Sequence, residues 1–336
     1  MADNKIDFVV TYIDGTDQEW LARRNAALGV SNEAGNGEDR YRQWDNFKYW
    51  FRGVENFAPW VNKIYLVSDT KVPEWLNLDN DKLVVLRQED FMPVELTPTF
   101  NSISIEFFFD RIPGLSEQFV YFNDDMYLTK PTQPEDFFVN GQPREFGVLG
   151  MVQPYGVLES IYANTVALIN QKFDKRAVIK QNFNKFFNLK YGIDNIRNAF
   201  LYGGDRFTGF KTHHLTLSLL KQTYREVWET YASELKWDVE YKFRDRNQFT
   251  SWLLRYWQLA TGNFVPQHRN FGKFFESSIE NLSTIKTAIV TGKYTVVCLN
   301  DNDKIDYDDY VTIKETIISA FEQLYPNQSS FESEKN

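Results

Sequence analysis

Residues 99–130 read TFNSISIEFFFDRIPGLSEQFVYFNDDMYLTK, and the fold class depends on how this stretch is parsed. Ile105, Phe108, Phe109 and Ile112 recur at helical spacing, with Ser102 placed to cap the helix and Pro113-Gly114 to end it. Residues 119–122 (FVYF) form a short unbroken apolar run, the pattern of a strand buried on both faces. That run leads into Asn123, Asp124 and Asp125, and a second apolar piece (residues 126–128) follows. Two adjacent carboxylates beyond a buried strand repel each other and lose hydration unless a cation or hydrogen-bond donors compensate. In open α/β sheets ligands bind outside the carboxyl ends of the strands. Asp124 and Asp125 are therefore candidates for a divalent cation that bridges phosphate oxygens. The competing reading is a plain turn, which Asn and Asp also favour.

Upstream, strands and helices alternate. Residues 5–12 (KIDFVVTY), 63–68 (KIYLVS) and 83–86 (LVVL) are rich in β-branched and aromatic residues and read as strands. Residues 40–57 carry Tyr41, Trp44, Phe47, Phe51 and Val54 three or four apart and read as a helix, and residues 73–76 as a short one. This alternation predicts an α/β fold with a mostly parallel, doubly wound central sheet. The first strand ends in Ile13-Asp14-Gly15-Thr16-Asp17, which suits either the nucleotide end of a binding domain or a plain turn with Asp17 as helix cap. Arg40 and Arg52 could grip phosphate through their forks or form a solvated helix face. Neither the dinucleotide fingerprint nor the P-loop occurs.

Downstream, residues 162–187 read as a polar helical cover carrying Lys172, Lys175, Arg176, Lys180 and Lys185, with a substrate-facing insertion as the alternative. His213 and His214 precede residues 217–231, which read as a helix. A histidine there is either a satisfied structural group or a general base. Adjacent histidines cannot both face one zinc ion from a helix, and no Cys/His set completes such a site. Arg244 or Arg246 could hold a phosphate or lie at the surface. Residues 291–299 contain a late strand running into Asn300-Asp301, and residues 311–324 form a last helix. Three segments result: residues 1–150, an α/β part that carries the acidic pair; residues 151–200, a helical insertion or cover; and residues 201–336, a C-terminal part.

Of the 336 residues, 43% are hydrophobic and 17% aromatic, enough for a large core. A net charge of -9 without a long basic run argues against nucleic acid as a partner. Local cations or a metal could still hold an anionic substrate. The single cysteine, Cys298, rules out an intrachain disulfide framework and points to a reducing compartment. The N-terminal sequence lacks the apolar core of a signal peptide, and no run reaches the ~18 apolar residues of a membrane span. A cytoplasmic protein is expected.

Four blocks occur together and in order: residues 6–17 (IDFVVTYIDGTD), 40–77, 99–128, and 242–266 preceded by the His213-His214 segment. They resemble the Stealth family of bacterial capsule and exopolysaccharide sugar-phosphate transferases, to which the catalytic part of the animal N-acetylglucosamine-1-phosphotransferase also belongs. CLND at residues 298–301 and SSFE at residues 329–332 are similar to its bacterial branch. The resemblance implies a Rossmann-like, nucleotide-sugar transferase-type sheet with a helical second half. It implies transfer of a sugar-1-phosphate from a UDP-sugar to a glycan hydroxyl, with release of UMP. By the same resemblance, Asp124 and Asp125 would hold Mg2+ or Mn2+. Asn101, Ser102, Glu106 and Asn123 would shape the donor pocket, and Asp14 and Gly15 would lie at its nucleotide end. His214 would be the base, and Arg244 would stabilise the transferring phosphate. An acceptor on a lipid-linked or growing glycan would put the enzyme at the inner membrane face without inserting it.

Three positions depart from the family pattern. Thr216 stands where a Pro is usual, leaving His213 and His214 in competition. Ile103 replaces a His, and Asp245 and Asn247 compete for the acid after Arg244. Two rival functions remain in view: a metal-dependent glycosyltransferase releasing UDP, and an inactive carbohydrate-binding relative.

Overall fold

β1 (Ile6–Thr11) is the strand on which the sheet is laid, and all of it except Thr11 is buried. The computed structural model describes residues 5–28, 43–301 and 305–333. After β1 come α1 (Gln18–Leu28), α2 (Phe47–Phe57), β2 (Ile64–Val67), β3 (Leu83–Leu86), α3 (Ser102–Glu106), β4 (Gln118–Phe122) and β5 (Met126–Leu128). The hairpin β6 (Phe138–Val139) and β7 (Gln142–Glu145) precedes α4 (Val157–Lys172), α5 (Lys175–Gln181), α6 (Phe183–Phe186) and α7 (Asp194–Leu201). The chain continues through β8 (Leu217–Leu220), α8 (Lys221–Thr230), α9 (Ala232–Asp238), α10 (Trp252–Thr261) and β9 (Val265–Pro266). It closes with β10 (Gly272–Glu276), α11 (Ile279–Val290), β11 (Val296–Asn300) and α12 (Tyr307–Leu324).

The central sheet has the order β3-β2-β1-β4-β8. Its first four members are parallel, and β8 is antiparallel to β4. This is the mostly parallel α/β sheet expected, with a largely helical second half. Side chains alternate across β1: Phe8 and Val10 join a core with α2, α11 and α12, whereas Val9 joins a second core with α4, α8 and α10. Parallel strands covered on both faces read as continuous apolar runs, which is why β1, β2 and β4 were recognisable in sequence. Aromatic rings knit the first core. Phe8 meets Phe122 with centroids 4.7 Å apart, and Tyr12 stacks on Phe47 at 4.5 Å.

Three local expectations change. The helix expected over residues 40–57 is described from Phe47 onward, and residues 73–76 form a turn. The helix near residue 102 is one five-residue piece capped by Asn101, whose side chain accepts from Ile103 N at 3.3 Å, and not by Ser102. Residues 217–220 are strand β8 rather than the start of a helix. All four are buried, and pairing with β4 satisfies their backbone before the chain turns helical at Lys221.

That last correction positions the site. Because β8 runs antiparallel with Leu217 opposite Tyr121, the residues before it lie beyond the carboxyl end of β4. Beyond that same end, β5 leaves for a second sheet of order β10-β11-β5, in which Met126 pairs with Cys298. Among the described residues, no helix is long and apolar enough to cross a membrane.

Candidate active site

Asn123, Asp124 and Asp125 are the three residues in which the chain passes from one sheet to the other. The backbone there is held from β11, where Leu299 N donates to Asp125 O at 2.9 Å. Two clefts, of about 530 and 490 Å³, meet at this crossing, and Asp124, Asp125 and Asn300 line both.

The first cleft lies beyond β1. Asp14 and Gly15 form part of its wall, with Tyr12, Trp44 and Trp75 offering aromatic surface. Asp14 is held by its own loop: its N donates to Thr70 Oγ1 at 2.9 Å, and its Oδ1 accepts from Thr16 N and Gln43 Nε2, both at 2.8 Å. Asp17 caps α1, accepting from Glu19 N at 2.9 Å and Trp20 N at 3.1 Å. The loop therefore serves both as the cleft wall and as a helix start.

The second cleft brings together Ser102, Glu106, Asn123, His214 and Arg244. Arg244 Nη2 donates to Ser102 Oγ at 3.0 Å. Glu106 accepts from Tyr121 Oη at 3.1 Å and from Ser251 Oγ, and burial pushes its carboxyl above the usual range. His214 Nε2 lies 3.9 Å from Asp125 Oδ2. His214 has φ of 42°, a left-handed conformation rare for a residue with a side chain and costing on the order of 1 kcal/mol or more. Its neighbour His213 lines neither of these two clefts. It stacks on Phe146 with centroids 4.0 Å apart, and burial, reinforced by Arg255, pushes its pKa down to about 3.

Both carboxyls of the Asp pair are displaced upward. Burial, with the Asp125 charge beside it, pushes the Asp124 carboxyl up to about 7. Burial also raises Asp125, against the opposing pull of His214. Asp125 Oδ2 accepts from Cys298 Sγ at 3.3 Å, while Asp125 Oδ1 and Tyr127 Oη are buried without a hydrogen-bond partner. A carboxylate oxygen left orphaned next to a second carboxylate is what a bound cation would satisfy. Asp125, His214 and Cys298 also place ligand atoms within 4.8 Å of one another. Burial, then Asp125, pushes the Cys298 thiol far above its usual range, so it keeps its proton and donates to Asp125. Without the thiol, the carboxylate oxygens of the Asp pair are hard donors with the His214 imidazole beside them, a set that suits a hard divalent cation.

Two expected contacts fall elsewhere. Arg52 does not reach either cleft. It lies buried in an ion pair with Glu332, 2.7 Å away, because α2 presents it to the closing segment of the chain. Asn101 is also fully buried and away from the clefts. Its Nδ2 donates to Gln248 Oε1 at 2.9 Å and to Tyr241 O at 3.2 Å, so it holds the loop that carries Arg244. Arg40 lies outside the described residues. Asp245 accepts from Asn247 N at 2.9 Å and Nδ2 at 2.8 Å, closing a turn between Arg244 and Gln248. Arg246 is not among the lining residues. Sequence reasoning missed Asn300 and Cys298 as site residues. Their signal was a strand ending in Asn-Asp within the CLND segment, read as a strand end and a family likeness but given no role in the site.

Residues 40–145 match the family model described as Stealth protein CR2, conserved region 2. The chain is 39% identical to the capsular polysaccharide phosphotransferase WcwK of Streptococcus pneumoniae over 98% of both proteins. It is 38% identical to the exopolysaccharide phosphotransferase cps2G of Lactiplantibacillus plantarum, covering 97% of this chain and 96% of that one. Among solved structures, the galactosyltransferase LgtC with donor and acceptor sugar analogues aligns over 93% of this chain and 95% of its own, at 11% identity and a TM-score of 0.40.

Proposed function

This chain belongs to the Stealth family of capsular and exopolysaccharide phosphotransferases, and we propose that it moves a sugar-1-phosphate from a UDP-sugar to a glycan hydroxyl and releases UMP. The observation that carries this reading is the meeting of two clefts at Asp124 and Asp125, with one carboxylate oxygen orphaned there. The first cleft takes the nucleotide, with the faces of Trp44 and Trp75 available for the base. The second takes the sugar and the acceptor. Asp124 and Asp125 hold Mg2+ or Mn2+, which when bound neutralises charge on the diphosphate.

The remaining chemistry falls to the chain's own side chains. The acceptor oxygen bonds to the sugar-bearing phosphorus, the phosphorus–oxygen bond to UMP breaks, and His214 Nε2 takes the acceptor proton. Arg244, steadied by Ser102, faces the negative charge on the transferring group. His213, stacked on Phe146 and outside the clefts, is poorly placed for that proton, which supports His214 as the base. Phosphoryl transfer depends on positioning and charge neutralisation more than on covalent help from the protein. Such an enzyme acts at the cytoplasmic side, where nucleotide sugars are the donors.

The test is to incubate the protein with UDP-N-acetylglucosamine, Mg2+ or Mn2+ and a lipid-extract acceptor, and to identify the nucleotide released. UMP that disappears with EDTA supports the proposal, whereas UDP would sink it in favour of glycosyl transfer. In the same assay, His214→Asn lowers kcat by about 10²-fold with little change in donor KM, the loss expected when a positioned base is removed. A variant with parental kcat would remove His214 from the mechanism.

A further inference from the structure

Helix α7 is built inside out. Its one fully buried residue is Asn198, whose Oδ1 accepts from Leu149 N at 2.7 Å and whose Nδ2 donates to Gly147 O at 2.8 Å, while half-buried Leu201 packs on the core. Its outward side carries apolar side chains instead. Ile196 and Phe200 are exposed on the helix, one turn apart, and Ile193 lies one turn before Ile196. Phe200 is 85% exposed, and Leu189, just upstream, is 97% exposed. Phe183 extends the surface: it stacks on Phe187 at 4.7 Å, and Phe187 meets the Tyr202 ring at 6.2 Å. Isolated exposed apolar residues need no explanation, but a cluster of this size on one face marks a surface that something covers.

The charge around the cluster indicates what covers it. Residues 172–206 contain eight Lys or Arg and three Asp, a net of +5, within a chain of net charge -9. Lys172, Arg176, Lys180, Arg197 and Arg206, all within this stretch, are exposed. Several cations also fasten the segment to the body: Lys185 Nζ donates to Gly262 O at 2.7 Å, Lys190 Nζ to Pro266 O at 3.1 Å and Arg197 Nε to Leu149 O at 2.9 Å. The face is therefore held rigidly, with its apolar side chains turned out.

We propose that the face formed by Phe183, Leu189, Ile193, Ile196 and Phe200 docks this protein on an anionic lipid surface. The apolar side chains enter the headgroup boundary, and the surrounding Lys and Arg meet lipid phosphates. The chain from the Arg197 contact runs to exposed Met151, Tyr155 and Val157 and then to Leu158, which lines the second cleft. This deepens the proposed function by naming how a lipid-carried acceptor is met, and it rests on that reading only for its purpose. Vesicle binding needs no substrate, so either can fail alone.

The full chain is sedimented with vesicles of phosphatidylglycerol and phosphatidylcholine in equal parts, and with phosphatidylcholine alone. It binds the anionic vesicles preferentially, and added salt weakens binding. The double variant Leu189→Ser/Phe200→Ser lowers partitioning by at least roughly tenfold, through lost apolar insertion. Both residues are exposed, so circular dichroism and melting stay as in the parent. Absence of binding by the parent, or equal binding by the double variant, overturns the proposal. So does a parent that is a dimer by light scattering and becomes monomeric in the variant, because a second copy would then cover the face.

Discussion

Asp124→Asn protein melts at a higher temperature than the parent in EDTA at about pH 8, while its transfer rate falls about 10³-fold. The two effects have one cause. Burial and the adjacent Asp125 hold the Asp124 carboxyl at about 7, against 3.8 for an ordinary Asp. A folded-state pKa above the unfolded one means that the fold favours the protonated group. Stability from this group is complete below about pH 4, declines as pH rises, and is gone above about pH 7. Asparagine never ionises, so its advantage over the parent is absent near pH 4 and full near pH 8. The activity loss follows because the amide oxygen is a far weaker ligand for a divalent cation and brings no charge to a diphosphate. Calorimetry at both pH values, with the nucleotide-release assay, checks the pair of effects. An Asp124→Asn protein that melts below the parent at about pH 8 would show a packing role instead, and one with parental turnover would remove Asp124 from the site.

The second large effect concerns stability alone. Glu332→Ala costs about 3–5 kcal/mol, because it strands the Arg52 guanidinium in a buried position. The side chains of Arg52 and Glu332 are 8% and 4% exposed. Arg52 Nε and Nη2 each donate to Glu332 at 2.7 Å, and Nη1 donates to Tyr325 O at 3.0 Å. The pair fastens the closing segment to α2, where Phe331 also packs on Phe51 at 5.3 Å. The double variant Arg52→Met/Glu332→Leu recovers most of the loss, since an apolar pair leaves no charge to desolvate. Denaturant melts of the parent, the single variant and the double variant measure this. A Glu332→Ala cost below about 1 kcal/mol would mean that water reaches Arg52 and that the pair behaves as a surface contact.

The sheet and the acidic crossing were legible in the sequence for a local reason. Strands buried on both faces are mostly apolar: β2 is so throughout, β1 apart from Asp7 and Thr11, and β4 apart from Gln118. Asp124 and Asp125 stood out because two charges directly after such a strand need compensation from elsewhere. β8 was misread because a short leucine-rich piece (LSLL) before a helix looks the same whether it opens that helix or pairs with β4. Arg52 was misassigned because its partner Glu332 is 280 residues away, and helical spacing shows only that an Arg is present. Asn101 was misassigned for the same reason: its amide is spent on Gln248 and Tyr241, far along the chain.

By itself, then, the sequence determined the α/β class, the parallel strands, the acidic crossing after β4 and the family, because each is written in contiguous residues. Only the tertiary structure decided which histidine faces the cleft, which arginine is buried, that Cys298 and Asn300 meet the Asp pair, and that α7 turns its apolar side outward. Those outcomes depend on which distant surfaces come together, and the periodicity of a single segment carries no record of them.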